Sequence, residues 1–329
     1  MSKIIRVVLL LCINVSALIR IDPLMPSIKY IQGVHYNAGS LYFGTNRGEI
    51  VCVRKDNTYN LYRKWMNVVT KRGIRKIKST SKYVLVDCDA NNVDETGRTV
   101  LCSIDDGKIV DQQIWRDSTV FEHIVKESEW VRCSYDGAVV SKMLNREDEF
   151  VMKCRIPLMA SDYVTTSVIY DGKMYLVTLN GYLWIIDMND FKIINRYQLN
   201  FYLASSITVD RLHSTSSSVF IYIGNQKGNI YFINMKDDKI ICHTEKVIHD
   251  GVVTRILSNR KDVFVAYHDK EIFQFDMLSF DLIHRMKMNA ESYANIDSLS
   301  LSSRGLFFIS DNERELMLYP LLEKKSSLS

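Results

Sequence analysis

The chain has 329 residues, 42 basic against 38 acidic side chains for a net charge of +4, and 47% hydrophobic residues. That apolar fraction excludes a disordered chain, and a charge so near balance excludes nucleic-acid binding by bulk charge, leaving only clustered basic stretches to consider. No C-x-x-C pair occurs, which removes zinc ribbons and thioredoxin-type redox motifs by spacing.

In chain order, residues 1–17 (MSKIIRVVLLLCINVSA) join Lys3 and Arg6 to the apolar run Val7 to Ile13 and the small-residue spacing Val15-Ser16-Ala17. This is the layout of a signal peptide, too short to span a bilayer. The alternative is an N-terminal extension that supplies a strand, and Leu18-Ile19-Arg20-Ile21-Asp22 alternates as a strand should. The lack of an Asn-x-Ser/Thr sequon after residue 17 favours the cytoplasm or nucleus over the secretory pathway. Both readings stay open.

From residue 41 a pattern recurs in which an apolar run meets a polar turn and a second apolar run follows. The junctions are LYFGTNRGEIVCV (41–53), YVLVDCDANNVDETGRTVLCSI (83–104), WVRCSYDGAVVSKM (130–143), MYLVTLNGYLWIID (174–187), VFIYIGNQKGNIYFI (219–233), VFVAYHDKEIFQF (263–275) and LFFISDNERELMLY (306–319). The first apolar residues after the turns, Ile50, Val100, Val139, Leu183, Ile230, Ile272 and Leu316, are 50, 39, 44, 47, 42 and 44 residues apart. A period of about 40–45 residues with several short strands marks a propeller blade. Residues 247–286 show one in full: an apolar strand at Val252–Leu257, a buried run at Val263–Tyr267, a third strand from Ile272 and a more polar outer strand at Leu282–Met286.

These repeats predict an all-β chain, a single seven-bladed β-propeller of four-stranded antiparallel blades over residues 18–322, with 323–329 as a flexible tail. The last unit has too little chain left for a fourth strand, so the N-terminal segment ending near Asp22 is expected to pair with Leu316–Leu322. Cys52, Cys88, Cys102, Cys133, Cys154 and Cys242 fall in strand-like runs and read as buried free thiols.

His249-Asp250-Gly251-Val252 resembles the histidine-containing loop that opens a WD-repeat blade, and residues 18–322 resemble that superfamily through hydrophobic pattern more than signature residues. No blade ends in Trp-Asp, and His249 stands alone in its role. Gly44-Thr45-Asn46-Arg47-Gly48 with Trp65, and Asn180-Gly181-Tyr182-Leu183 with Asp187, resemble quinoprotein-type blades instead. The first resemblance implies a non-enzymatic scaffold or adaptor that binds peptide or protein partners on the propeller face. The second implies a secreted or lumenal sensor or assembly factor. An enzyme with a site at the channel mouth is a third alternative, and the sequence offers it no catalytic or cofactor motif.

Gly48, Gly137, Gly181 and Gly228 sit at turns that require positive φ, and none opens a phosphate-binding helix. Asp87-Cys88-Asp89-Ala90-Asn91 begins like a calcium loop, but Asn92 and Arg98 stand where Gly and Glu are needed, so no metal site is assigned. The densest charge feature is Arg63, Lys64, Lys71, Arg72, Arg75, Lys76 and Lys78, seven cations with no acid among residues 63–78. It is expected to form a rim loop between the first two blades that could hold an acidic or phosphorylated partner.

Overall fold

The computed structural model describes residues 17–20, 31–55, 61–71, 73–88, 97–115, 120–125, 128–144, 149–199, 202–211, 213–259, 261–269, 271–277, 279–287, 299–301, 305–309 and 315–320. Every absence stated below is an absence among these described residues. Residues 1–16 of the expected signal segment at 1–17, the tail at 323–329 and most of the calcium-like loop (89–96) lie outside them. The regular structure is strand alone, and no helix is long and apolar enough to cross a membrane.

The chain is an all-β β-propeller. After β1 (Ala17–Arg20), the first blade is β2 (Ile31–Asn37), β3 (Ser40–Thr45), β4 (Glu49–Lys55) and β5 (Leu61–Val68). The second is β6 (Ile74–Ser79), β7 (Tyr83–Cys88), β8 (Gly97–Ser103) and β9 (Ile109–Trp115), and the third is β10 (Val120–Val125), β11 (Glu129–Ser134), β12 (Ala138–Met143) and β13 (Val151–Arg155). The fourth is β14 (Val164–Tyr170), β15 (Lys173–Thr178), β16 (Tyr182–Asp187) and β17 (Ile193–Gln198). The fifth is β18 (Ala204–Val209), β19 (Ser218–Asn225), β20 (Asn229–Lys236) and β21 (Lys239–Val247). The sixth is β22 (Val253–Ser258), β23 (Asp262–Tyr267), β24 (Glu271–Asp276) and β25 (Leu282–Lys287).

The expectation of seven equivalent blades is corrected by this strand order. Six blades, not seven, are runs of four consecutive strands hydrogen-bonded in sequence order. The rest of the chain supplies only β26 (Ser300–Leu301), β27 (Gly305–Ile309) and β28 (Glu315–Pro320), and β26 is two residues long. That sheet is a composite whose fourth strand is β1 from the other end of the chain, with Ala17 opposite Leu318 and Arg20 opposite Glu315. The physical reason is the one that predicted the pairing. An unpaired β28 would leave open backbone groups along an edge, and β1 closes it.

Within each blade the middle strands are apolar on both faces because sheets stack on either side. All six residues of β3 and of β23 are buried, whereas β13 on the outside is largely exposed. Two compact units are resolved, Met1–Ile114 with Ala290–Ser329, and Trp115–Asn289. In the first, Tyr42, Ile50, Ile74, Val86 and Val100 share a core, and Trp65 Nε1 donates to the Ile104 carbonyl at 3.0 Å. Gly107 has φ 72°, and a Cβ there would lie 2.4 Å from the Trp65 ring, so the indole needs glycine beneath it. In the second unit Tyr175, Ile185, Ile207, Ile221 and Ile233 pack between the fourth and fifth blades.

Neighbouring first strands are riveted by side chains one repeat apart. His35 Nε2 lies 3.0 Å from Ser79 Oγ in the first unit, and His123 Nε2 lies 2.8 Å from Ser167 Oγ in the second, both 44 residues apart. A histidine beside a serine suggests a nucleophile and its base. Recurrence at the repeat spacing instead marks a blade-to-blade contact. Cys52, Cys88, Cys102 and Cys133 are buried free thiols as expected, and burial pushes the Cys102 thiol up to about 12.

Candidate interaction face

In an antiparallel meander the turns alternate ends. Second-to-third-strand turns and the links between blades therefore share one face of a unit, and the remaining turns share the other. On the first face the b–c turns repeat one design. Gly48, Gly137, Gly181 and Gly228 have φ of 77, 80, 82 and 81°, as the sequence predicted. Each glycine N–H returns to the residue three before it: Thr45, Ser134, Thr178 or Asn225. The side chain of that residue often braces the turn, as when Asn225 Oδ1 accepts the N–H groups of Lys227 (3.0 Å) and Asn229 (2.9 Å).

In the second unit this face carries a cleft of about 320 Å³. Its walls come from the fourth and fifth blades: Asn180, Gln198 and Leu199 on one side, Asn225, Lys227, Asn229, Tyr231 and Glu245 on the other, with Tyr202 from the link. Glu245 is held by Asn229 Nδ2 at 2.5 Å and the Tyr231 hydroxyl at 2.6 Å. Tyr202 is 48% exposed. On the same face Tyr135 stacks on Tyr163 with ring centres 3.9 Å apart. Desolvation of its hydroxyl, then the hydrogen bond with Tyr163, push Tyr135 up to about 12, so it is neutral at physiological pH. The arrangement is a floor bearing amides, a cation, a carboxylate and exposed rings, which suits recognition by hydrogen bonding and stacking.

The seven cations singled out in the sequence do not form one loop. Arg63 and Lys64 lie on β5, and Arg75, Lys76 and Lys78 lie on β6, so only Lys71 stands on the link and Arg72 falls outside the described residues. Lys64 also reaches Asp105 at 3.6 Å and donates to the Ile104 carbonyl. The structure thus divides these groups between the outermost strand of one blade and the first strand of the next. The cleft residues escaped sequence reading because isolated Asn and Gln residues carry no motif. The one available signal was the polar enrichment of Asn225-Gln226-Lys227-Gly228-Asn229.

His249, Asp269 and Glu271 place ligand-type atoms within 4.8 Å of one another. They fit a metal poorly. Arg285 takes both oxygens of Glu271, Nε to Oε2 at 2.8 Å and Nη2 to Oε1 at 2.7 Å, and Lys287 stands 3.6 Å away. The Arg285 guanidinium holds the Glu271 carboxyl below its usual range. His249 Nε2 meets Asp269 at 2.5 Å, and its ring packs edge-on to Tyr267 with centres 4.9 Å apart. The cluster fastens the link before β22 to the turn between β23 and β24.

No family model matches the chain, and no curated protein matches it. Among solved structures it is similar to the β-propeller domain of Cps50 (Swd1) from Myceliophteria thermophila, with 12% identity over 94% of this chain and 100% of that one, at a TM-score of 0.73. It is similar to BamB from Moraxella catarrhalis at 12% identity, 88% and 84% coverage and a TM-score of 0.55. It is also similar to the computationally designed protein Ika8 at 9% identity, 88% and 96% coverage and a TM-score of 0.61. At these identities the likeness is one of fold.

Proposed function

We propose that this chain is a non-enzymatic interaction platform of WD-repeat type that captures protein partners on the face bearing the b–c turns. The observation that carries this reading is the polar, tyrosine-edged cleft, set on turns that glycines and side-chain braces hold rigid. Rigid loops on a stable scaffold lose little entropy on binding, which is why such faces serve recognition. The link histidine His249, bonded to Asp269 on the following turn, favours the WD-repeat type. The quinoprotein-like alternative rests on Gly44–Gly48 with Trp65, which is seated on Gly107, and on Asn180–Leu183 with Asp187.

The test is affinity capture with the full chain and two variants. Y135A/Y202A alters the proposed face, and K192E/K239E alters the opposite turns. Loss of captured proteins in the first variant and retention in the second is the expected result. Equal capture by wild type and the first variant would overturn the reading.

A further inference from the structure

Among the described residues, four polar side chains of the cleft make no hydrogen bond or ion pair of their own: Asn180, Gln198, Tyr202 and Lys227. Elsewhere in the cleft, Glu245 already accepts from Asn229 and Tyr231 on its Oε1. The Oδ1 of Asn225, a residue 2% exposed, is used by the turn, which leaves its NH₂ for the cleft. The open chemistry is therefore paired amide donors and acceptors on two facing blades, one exposed cation, one exposed ring and the exposed carboxylate of Glu245, whose Oε1 takes both of its bonds.

A side-chain amide is a copy of the peptide group and pairs with main-chain N–H and C=O. Amides on both walls suit a strand-like segment that leaves its own backbone groups to be satisfied. Lys227 is exposed and makes no ion pair, so an anion on the occupant would gain a partner there. The volume, about 320 Å³, holds a few residues. We infer that the cleft between the fourth and fifth blades binds a short extended peptide with an Asp or Glu beside Lys227, its main chain held by Asn180 and Gln198. This inference rests on the platform reading and narrows it to one cleft and one ligand chemistry. A neutral sugar would also use amides and a ring, but it would leave Lys227 without a counter-charge.

The experiment pans a displayed random hexapeptide library against the immobilised full chain as wild type, K227E and N180A/Q198A. Thermal melting confirms that each variant is folded. Wild type should enrich peptides containing Asp or Glu, and K227E should enrich Lys and Arg instead. N180A/Q198A should bind the best wild-type peptide about tenfold more weakly or worse, and replacing that peptide's acid by Gln should weaken binding to wild type comparably. If all three proteins select the same peptides, this cleft is not the site, while the platform reading stands on its capture experiment. Failure to enrich any peptide, or binding of neutral glycans on an array in its place, would overturn the inference outright.

Discussion

The Tyr267 hydroxyl donates to the carbonyl of Gly228, 3.0 Å away, across two blades. Elsewhere the equivalent turn carbonyl accepts a backbone N–H from its own blade's outer end: Val69 on Gly48, Ile156 on Gly137 and Leu199 on Gly181. Here a buried side chain from the sixth blade takes that place, in the same region where His249 packs against Tyr267. The fifth-blade turn is thereby fixed to its neighbour, and Lys227 and Asn229 flank the fixed glycine.

Gly228 is consequently intolerant of a side chain. A Cβ would approach the His249 carbonyl to 1.7 Å at φ +81°. Gly228→Ala should cost roughly 3 kcal/mol or more in chemical denaturation, through clash and left-handed strain. Tyr267→Phe, which removes only the donor to a buried acceptor, should cost about 1 kcal/mol. Equal stability of G228A and wild type would show that this contact does not form.

Glu271 gives the protein an acid-sensitive link. Its carboxyl is 2% exposed and its pKa is lowered from the ordinary 4.5, first by Arg285. A depressed folded-state value means that its contribution is complete above the unfolded value and is lost as pH falls through the folded one. Wild-type stability should therefore fall below about pH 4.5, and Glu271→Gln should be less stable at neutral pH with a flatter acid limb. Parallel acid limbs for the two proteins would contradict this.

The composite sheet predicts a different failure. Deleting residues 1–20 removes β1 and exposes the edge of β28. The truncated chain should aggregate or lose cooperative unfolding, as seen by light scattering and thermal melting. Melting like that of the full chain would mean that β28 needs no partner.

Much of this fold was legible because a propeller repeats its physics. The strands of residues 253–287 and the four turn glycines followed from apolar periodicity and from the need for positive φ. The pairing of β1 with β28 was expected from the strand-like alternation of Leu18–Asp22 and from the open edge that Leu316–Leu322 would otherwise present. The blade count misled because LFFISDNERELMLY has the junction pattern of a full blade, while its first strand shrinks to Ser300–Leu301. Pattern records a hairpin and is silent about the strand before it. The basic stretch misled differently: consecutive cations read as one loop, but β5 and β6 each take a share. The cleft was illegible because Asn180 and Lys227 lie 47 positions apart in sequence and meet only through the stacking of two blades.

The most direct test of the interaction face is amide hydrogen exchange on the full chain, alone and bound to a captured partner. Protection on binding should concentrate at residues 179–182, 202–204 and 225–229, which border the cleft. Protection confined to the opposite turns, around Asp190 and Asp237, with none at the cleft, would contradict the account.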